Sequence, residues 1–498
     1  MGRVLVTEKL AQTGLDLMAE AGHEVDVQLG LSPEELVGVV AGADALVIRS
    51  ATTVTAEVLS AGTDLVVVGR AGIGLDNVDV AAATELGVMV VNAPQSNILS
   101  AAEQAMALLL AQARNIPQAH AALVAGKWER SKWEGVELHG KTLGVIGLGR
   151  VGALVAQRAL AFGMRLVAYD PFVSADRARH MGVELMDLDT LMATSDFVTV
   201  HLPKNAETLG LIGKDLLAKA KPGLRIINTA RGGIVDEDAL AEAIRSGQVQ
   251  GAGLDVFAKE PTTESPLFEL PSVVVSPHLG ASTAEAQDKA GVTIAEQVIL
   301  ALNGDFVPLG KILSCLNDGL PDVLEIEYQG GLAGAGTGIL TLSVLKGLFA
   351  AATEEPVSYV NAPQLAAERG LEVRETSTVT AHDYVNLITL RSGEHSVAGT
   401  LTGPRTEPRL VMMDDHTVEV PPAPHMVVVR NDDRAGMIGV VGTILGEAQV
   451  SISSMAVGPS ASSNTALMVL STDQTVPDDA LERLRGAAGI SDVHTVES

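Results

Sequence analysis

Short apolar runs alternate with amphipathic stretches over the first three hundred residues. RVLVTE, ALVIRS, LVVVGRAG and VMVVNAP have strand length and are rich in Val, Leu and Ile. Between them, LAQTGLDLMAEAG and AEVLSAG space their apolar residues at helical intervals. Strands that read as nearly continuous apolar runs are buried on both faces, which predicts parallel sheets covered by helices. The rhythm resumes in DFVTVHLP, RIINTARGG, AGLDV and VVVSPHLG, so two α/β units follow one another. Two longer apolar stretches, residues 100–116 and 282–304, predict buried helices that connect them.

After residues 306–308 the pattern changes to glycine-rich segments and strand-like stretches, LEIEYQ, VSYVNAP, VNLITLR and HSVAGTLTG. These predict an α+β domain over residues 305–424, closed by PPAP at 421–424 as a stiff linker. The last segment reads strand, helix, strand, strand, helix, strand, a ferredoxin-like order suited to a ligand-sensing module. The expected organisation is a discontinuous first domain, 1–97 with 283–304, around a second at 98–282, followed by 305–424 and 425–498. The fold class is α/β with two doubly wound, Rossmann-like domains, then α+β.

At 498 residues the chain is too long for one core. With 61 acidic and 34 basic residues its formal charge is -27, which argues against nucleic acid and anionic membranes as partners. Cys315 is the single cysteine, so no intrachain disulfide forms. No apolar run reaches membrane-spanning length, and the first residues are strand-like rather than a leader. A cytoplasmic protein is expected.

The most specific local signal is KTLGVIGLGRVGALVAQRALAFGMRLVAYD, residues 141–170. A strand, Leu143 to Ile146, runs into Gly147, Gly149 and Gly152; a helix follows, and a second strand, Leu166 to Tyr169, delivers Asp170. Gly147 permits a tight turn, Gly149 lets a pyrophosphate approach the backbone, and Gly152 lets helix and strand pack closely. The helix N-terminus offers free N–H donors to phosphate. Asp170 is placed to bind ribose hydroxyls and repel a 2′-phosphate, which selects NAD over NADP.

Three motifs after the fingerprint stand at or just beyond strand ends, where an open α/β sheet binds its ligands: INTARGG with Arg231, LDVFAKEP with Glu260 and SPHLG with His278. Oxidising a secondary alcohol needs a base for the hydroxyl proton while hydride leaves, and His278 suits that transfer. Glu260 would fix its tautomer, and Arg231 would hold a substrate carboxylate in its planar fork. No metal site is assigned.

These motifs resemble those of the D-isomer-specific 2-hydroxyacid dehydrogenase family, closely over the first 300 residues and in outline beyond. The resemblance implies that Arg231, Glu260 and His278 are the catalytic set. It also implies cofactor contacts at Arg150, Val151, Asp170, Leu202, Thr229, Ala230, Arg231, Asp255, His278, Leu279, Gly280 and Ala281, with Ile73 on a substrate-side loop near the nicotinamide. Arg49 and Arg70 follow two strands of the first unit and suit a phosphorylated hydroxy acid. In the resembling enzymes Arg49, Ser50, Arg70 and Asn97 surround the substrate, and Arg130 is a phosphate candidate that reaches across a subunit interface. The implied reaction is oxidation of 3-phospho-D-glycerate to 3-phosphooxypyruvate with NAD, the first step of L-serine synthesis, in a homodimer or homotetramer.

The long members of that family carry an intervening allosteric domain and a terminal ACT domain that binds serine. Here VPLGKILSCLNDGLPDVLEIEYQ lacks a strand and a helix that usually enter the intervening domain; Arg409 and His416 are its anion candidates. In the ACT-like segment, Asp433, Arg434, Ala435 and Gly436 replace the usual run ending Arg-Pro-Gly, and Ser451 stands where asparagine is usual. Asn431, Asp433 and Ser451 are the candidates for binding a serine effector. Two other functions use the same residues: an NADH-sensing co-repressor of the same fold, and a dehydrogenase for another D-2-hydroxy acid.

Overall fold

The computed structural model describes residues 1–497 except 318, 332–336, 354, 381–383, 403–406 and 461–463, with Glu497 described only in its backbone. Much of the glycine-rich stretch read after β-strand 323–330, and the end of HSVAGTLTG, lie outside the described residues.

The first sheet holds β1 (Arg3–Val6), β2 (Glu24–Val27), β3 (Ala45–Ile48), β4 (Val67–Arg70) and β5 (Met89–Asn92), all parallel, in the order β2-β1-β3-β4-β5. The second holds β6 (Thr142–Ile146), β7 (Arg165–Tyr169), β8 (Glu184–Leu185), β9 (Phe197–Val200), β10 (Leu224–Asn228), β11 (Val249–Leu254) and β12 (Val273–Val275). Its order, β12-β11-β10-β9-β6-β7-β8, reverses direction between β6 and β9. Such a switch opens a crevice beyond the strand ends, and the fingerprint glycines lie there. Every residue of β3, β6 and β9 is buried, as expected of strands covered on both faces.

The crossing helix Ile98–Arg114 packs its Ala102, Ala105, Leu109 and Ala113 into the second unit, with Leu143 and Val145. The return helix Ala284–Asn303 goes back to the first sheet, where Ile294 and Val298 lie against Gly69 of β4. It also meets the helix Gln12–Glu20 at a Gly14–Gly291 contact so close that a Cβ on Gly14 would lie 2.7 Å from the Gly291 carbonyl oxygen.

The third sheet holds β13 (Val323–Gly330), β14 (Glu372–Thr378), β15 (Asn386–Ser392), β16 (His395–Thr402), β17 (Glu407–Met413) and β18 (His416–Val420), ordered β14-β13-β15-β16-β17-β18. Despite the short approach to it, β13 is paired on both sides. VSYVNAP is not a strand. Ser358 Oγ accepts N–H bonds from Val360 and Asn361, Asn361 Oδ1 accepts one from Ser358, and Pro363 starts the helix Ala362–Glu368. These local side-chain bonds offer the backbone an alternative to a sheet ladder. They fold the apolar run into a turn that buries Tyr359.

The last sheet holds β19 (His425–Asp432), β20 (Ile452–Pro459), β21 (Thr465–Thr472) and β22 (Ile490–Glu497), antiparallel in the order β20-β21-β19-β22. With the helices Met437–Glu447 and Asp478–Arg485 it has the ferredoxin-like arrangement. No single described helix is long and apolar enough to cross a membrane; the bent apolar pair 284–303 and 307–316 contributes to the largest core.

Candidate active site

The fingerprint turn is shaped by three glycines in three ways. Gly147 has φ +92°, and a Cβ there would lie 2.6 Å from the His201 carbonyl oxygen. A Cβ on Gly152 would lie 2.0 Å from the Gly147 carbonyl oxygen, so the helix Arg150–Ala161 rests directly on the turn. A Cβ on Gly149 would meet nothing within 4 Å. Gly149 therefore faces open space, and no side chain caps the helix that follows it. Exposed Arg150 and half-buried Val151 start that helix. The residues thus fit a pyrophosphate at the helix N-terminus.

Asp170 accepts N–H bonds from Leu148 (2.8 Å) and Phe172 (2.9 Å), one on each oxygen. A carboxylate has about four acceptor positions, so both oxygens keep capacity for ribose hydroxyls. Leu202 lines the turn, 3.0 Å from the position of a Gly147 Cβ. Next to it, His201 Nε2 lies 2.9 Å from Thr199 Oγ1, and burial lowers the His201 pKa to about 4.

His278 and Glu260 meet, with Nδ1 2.6 Å from Oε2. The other Glu260 oxygen accepts the Phe257 N–H at 2.8 Å. Partial burial pushes this carboxyl up, but the His278 and Phe257 hydrogen bonds and the charges of His278 and Arg231 outweigh it, and the pKa lies below the usual carboxylate range. A carboxylate on Nδ1 leaves Nε2 as the nitrogen free to take a proton. His278 has φ +53°, unusual for a side-chain-bearing residue.

Buried Asp255 holds the His278 loop in that conformation. It accepts N–H bonds from Leu279 (2.8 Å) and Gly280 (2.7 Å) and the Ser276 hydroxyl (2.5 Å), while its own carbonyl accepts the His278 N–H. Sequence reasoning placed Asp255 at the cofactor. Its carboxylate is bonded to the loop backbone and to Ser276, and Gln104 of the crossing helix donates to Ser276 Oγ from behind. Ala281 completes the loop, half-buried.

Arg231 Nε lies 3.4 Å from Asp76, and its Nη1 donates to the Ala230 carbonyl at 2.8 Å. The turn Thr229–Arg231 is set by Asn228, which donates to the Arg231 carbonyl and accepts from the Ala230 N–H. The guanidinium rests on the first unit: a Cβ on Gly74, next to Ile73, would lie 2.5 Å from Arg231 Nη2. The Ile73 carbonyl in turn accepts a bond from Asn92.

Arg70 lies beside this group. Burial lowers its pKa, and the charges of Arg231 and Arg49 lower it further, against the opposing pull of Asp76 and Glu8. Arg49 itself donates to the Lys9 carbonyl, and Glu8 accepts the backbone N–H groups of Arg49, Ala51 and Thr52, which shapes the loop that exposes Ser50. Three guanidinium groups from two units thus share one crevice. Arg70 Nε, Asn97 Oδ1 and Thr229 Oγ1 are buried without hydrogen-bond partners among the described residues. Arg130 stands apart, exposed in the turn Arg130–Trp133.

Glu8, Asp76, Asn228 and Gln104 were missed as supporting residues. Glu8 and Asn228 were legible as polar residues at or just beyond strand ends. Asp76 and Gln104 act through contacts made by distant parts of the chain, and nothing local marks them.

In the terminal unit, Asn431 is buried; its amide donates to the Asp432 carbonyl and its Oδ1 has no partner. Exposed Asp433 and Ser451 flank the two ends of the helix Met437–Glu447, with the Ser451 N–H bound to Asp473. Arg409 is paired with Glu407, and His416 is fully buried beside Asp415.

Residues 106–280 match the model of the NAD-binding domain of D-isomer specific 2-hydroxyacid dehydrogenases, 306–414 that of the D-3-phosphoglycerate dehydrogenase intervening domain, and 425–489 that of the ACT domain. The chain is 47% identical over 523 residues to D-3-phosphoglycerate dehydrogenase of Mycobacterium leprae, covering 99% of this chain and 98% of that protein. It is 42% identical to the enzyme of that name from Synechocystis, covering 100% and 95%. Among solved structures, TT0316 of Thermus thermophilus superposes with a TM-score of 0.57 at 37% identity, over 61% of this chain and 97% of that one. Apo D-lactate dehydrogenase of Escherichia coli superposes at 0.55 and 28%, over 61% and 98%. The chain belongs to the D-3-phosphoglycerate dehydrogenase family of NAD-dependent oxidoreductases.

Proposed function

We propose that the protein oxidises 3-phospho-D-glycerate to 3-phosphooxypyruvate, the first step of L-serine synthesis. The observation that carries this reading is the facing of the His278–Glu260 pair with three arginines, Arg49, Arg70 and Arg231, in one crevice. The substrate has an anionic group at each end and an oxidisable hydroxyl between them. Bound NAD supplies the hydride acceptor. Nε2 of His278 takes the hydroxyl proton, and Glu260 stabilises the imidazolium that results. Arg231 binds the carboxylate and polarises the forming carbonyl, while Arg49 and Arg70 take the phosphate end. Ser50 and Asn97 complete the substrate contacts, and Ile73, Gly147, Gly149 to Gly152, Asp170, Leu202, Thr229 to Arg231, Asp255 and His278 to Ala281 hold the cofactor.

Purified protein should reduce NAD with 3-phosphoglycerate and hardly at all with glycerate. His278→Ala should lower kcat about 10²- to 10⁴-fold, the range for loss of a positioned acid–base group. Equal activity on glycerate, or an active His278→Ala variant, would overturn the substrate or the base respectively.

We also assign Asn431 and neighbouring Asp433 to a serine effector, because the Asn431 Oδ1 atom is buried without a partner among the described residues; Ser451 stands at the other end of the helix Met437–Glu447, about 16 Å along it, and does not join them within one chain. Calorimetric titration should show saturable serine heat that Asn431→Ala abolishes; an unchanged isotherm in that variant would remove the assignment. An oligomer, dimer or tetramer, is supported by the helix Ile116–Val124, which buries no residue of its own, and by exposed Leu123, Val124 and Trp128 beside it. Arg130 lies on the same exposed arm, and from there it would serve a partner's crevice. Sedimentation as a monomer would refute this assembly. The single cysteine suits a reducing cytoplasm.

A further inference from the structure

A cavity of about 480 Å³ lies at the junction of the first unit with both C-terminal units. Val66, just before β4, lines one side; Ile312 of the helix Val307–Leu316 lines another; and Met426 and Val496 of the last sheet line a third, leaving the cavity open to solvent. Into this largely apolar space come two lysines, Lys311 and Lys346.

The helix crossing explains why the two are together. A Cβ on Gly310 would lie 2.0 Å from the Val344 carbonyl oxygen, and one on Gly347 would lie 1.9 Å from the Val307 carbonyl oxygen. The helices Val307–Leu316 and Gly338–Ala352 therefore touch backbone to backbone. Lys311 and Lys346, each adjacent to one of these glycines, are brought to the same opening.

No salt bridge among the described residues includes either lysine. The Lys346 ammonium lies 4.1 Å from the Tyr359 ring centroid. Burial, and then the charge of Lys311, hold the Lys346 pKa below its usual value. The neighbouring carboxyl, Asp305, is itself pushed up to about 6 by burial and bonds to Asn303. Two ammonium groups at one apolar opening repel each other unless an anion lies between them.

We propose that this cavity binds a small dianionic metabolite with a compact apolar body, a phosphomonoester or a dicarboxylate, at a site separate from the His278 crevice. The volume is within the range of small-molecule sites. Two elements carry its occupancy towards the crevice. β4 begins next to Val66 and ends at Arg70, and the return helix begins just after the His278 loop and ends at Asn303 in the cavity wall. The ligand thus braces the far ends of both, and its effect falls on the KM of the phosphorylated substrate.

The test uses the full-length chain with inorganic phosphate and malonate as probes, against sodium chloride at equal ionic strength, followed by thermal midpoint and titration calorimetry. At least one of the two should raise the midpoint saturably; a response to phosphate alone assigns the phosphomonoester class, and to malonate alone the dicarboxylate class. Lys346→Met should weaken the response at least tenfold, and Lys346→Arg should keep it within threefold. Lys311→Met, from the other helix, carries the same prediction should Lys346→Met fail to fold. Because each variant retains the crevice, any response arising there cancels in the comparison. The proposal is overturned if neither anion exceeds chloride, or if the Lys→Met variants respond as the wild type does.

Discussion

At the scale of single residues, Glu260 links the geometry to pH. Its folded pKa lies below that of an unfolded glutamate, 4.5. The carboxylate therefore favours the folded state fully above 4.5, and this contribution is lost as pH falls through the lower folded value. Glu260→Gln removes that acid-dependent part of stability. It also removes the carboxylate that orients His278 and stabilises the imidazolium, so kcat/KM should fall roughly 10²-fold while the KM for NAD stays unchanged. A Glu260→Gln variant with unchanged kcat/KM would show that Glu260 does not act through His278. His201 behaves in the opposite structural sense with the same pH direction: a histidine held neutral by burial, with pKa about 4, costs stability as pH falls from 6.5 towards 4, because the unfolded chain binds the extra proton. The meeting of His278 with Glu260 was legible because each stands in a short motif beyond a strand. The left-handed backbone of His278 and its support by Asp255 were not, since they arise from hydrogen bonds closed over 25 residues.

At the scale of elements, the fingerprint separates packing from binding. Gly152 and Gly149 are both within the motif, yet one has a carbonyl oxygen 2.0 Å from its missing Cβ and the other has open space. Gly152→Ala must displace the helix Arg150–Ala161 from the turn, so the thermal midpoint without cofactor should fall and NAD binding should weaken. Gly149→Ala should leave that midpoint unchanged and weaken only NAD, by about tenfold or more, since its methyl enters the space where the pyrophosphate approaches. Equal midpoint losses in both variants would mean that Gly149 is a packing glycine. The parallel strands and long helices could be read directly because buried strands and helical spacing leave strong patterns. VSYVNAP could not: its composition is that of a strand, and only the bonds among Ser358, Val360 and Asn361 make it a turn.

At the scale of the whole molecule, the C-terminal half shares a core with the substrate side of the crevice rather than with the cofactor side. One apolar cluster runs from Val4 and Val47 of the first sheet through Ile294 and Val298 to Leu313 and Ile326, and on to Met426 and Val469 of the last sheet. The unit carrying the fingerprint has clusters of its own, around Val198 and Ile226 and around Leu143 and Leu109. Elements that bury one another unfold together, and elements with separate cores can unfold separately. Calorimetry should therefore resolve two transitions, one for the second unit and one for everything else. NAD at a hundred times its Kd stabilises the state that binds it by about 2.7 kcal/mol. For a unit near 185 residues this is a shift on the order of 5–10 °C, at roughly 2–4 °C per kcal/mol. The shift should fall chiefly on one transition, while a ligand of the Lys311–Lys346 cavity should move the other. A single transition raised as a whole by NAD would mean that the crossing and return helices couple the cores fully, and an effector bound at the C-terminal end would then act on cofactor and substrate alike.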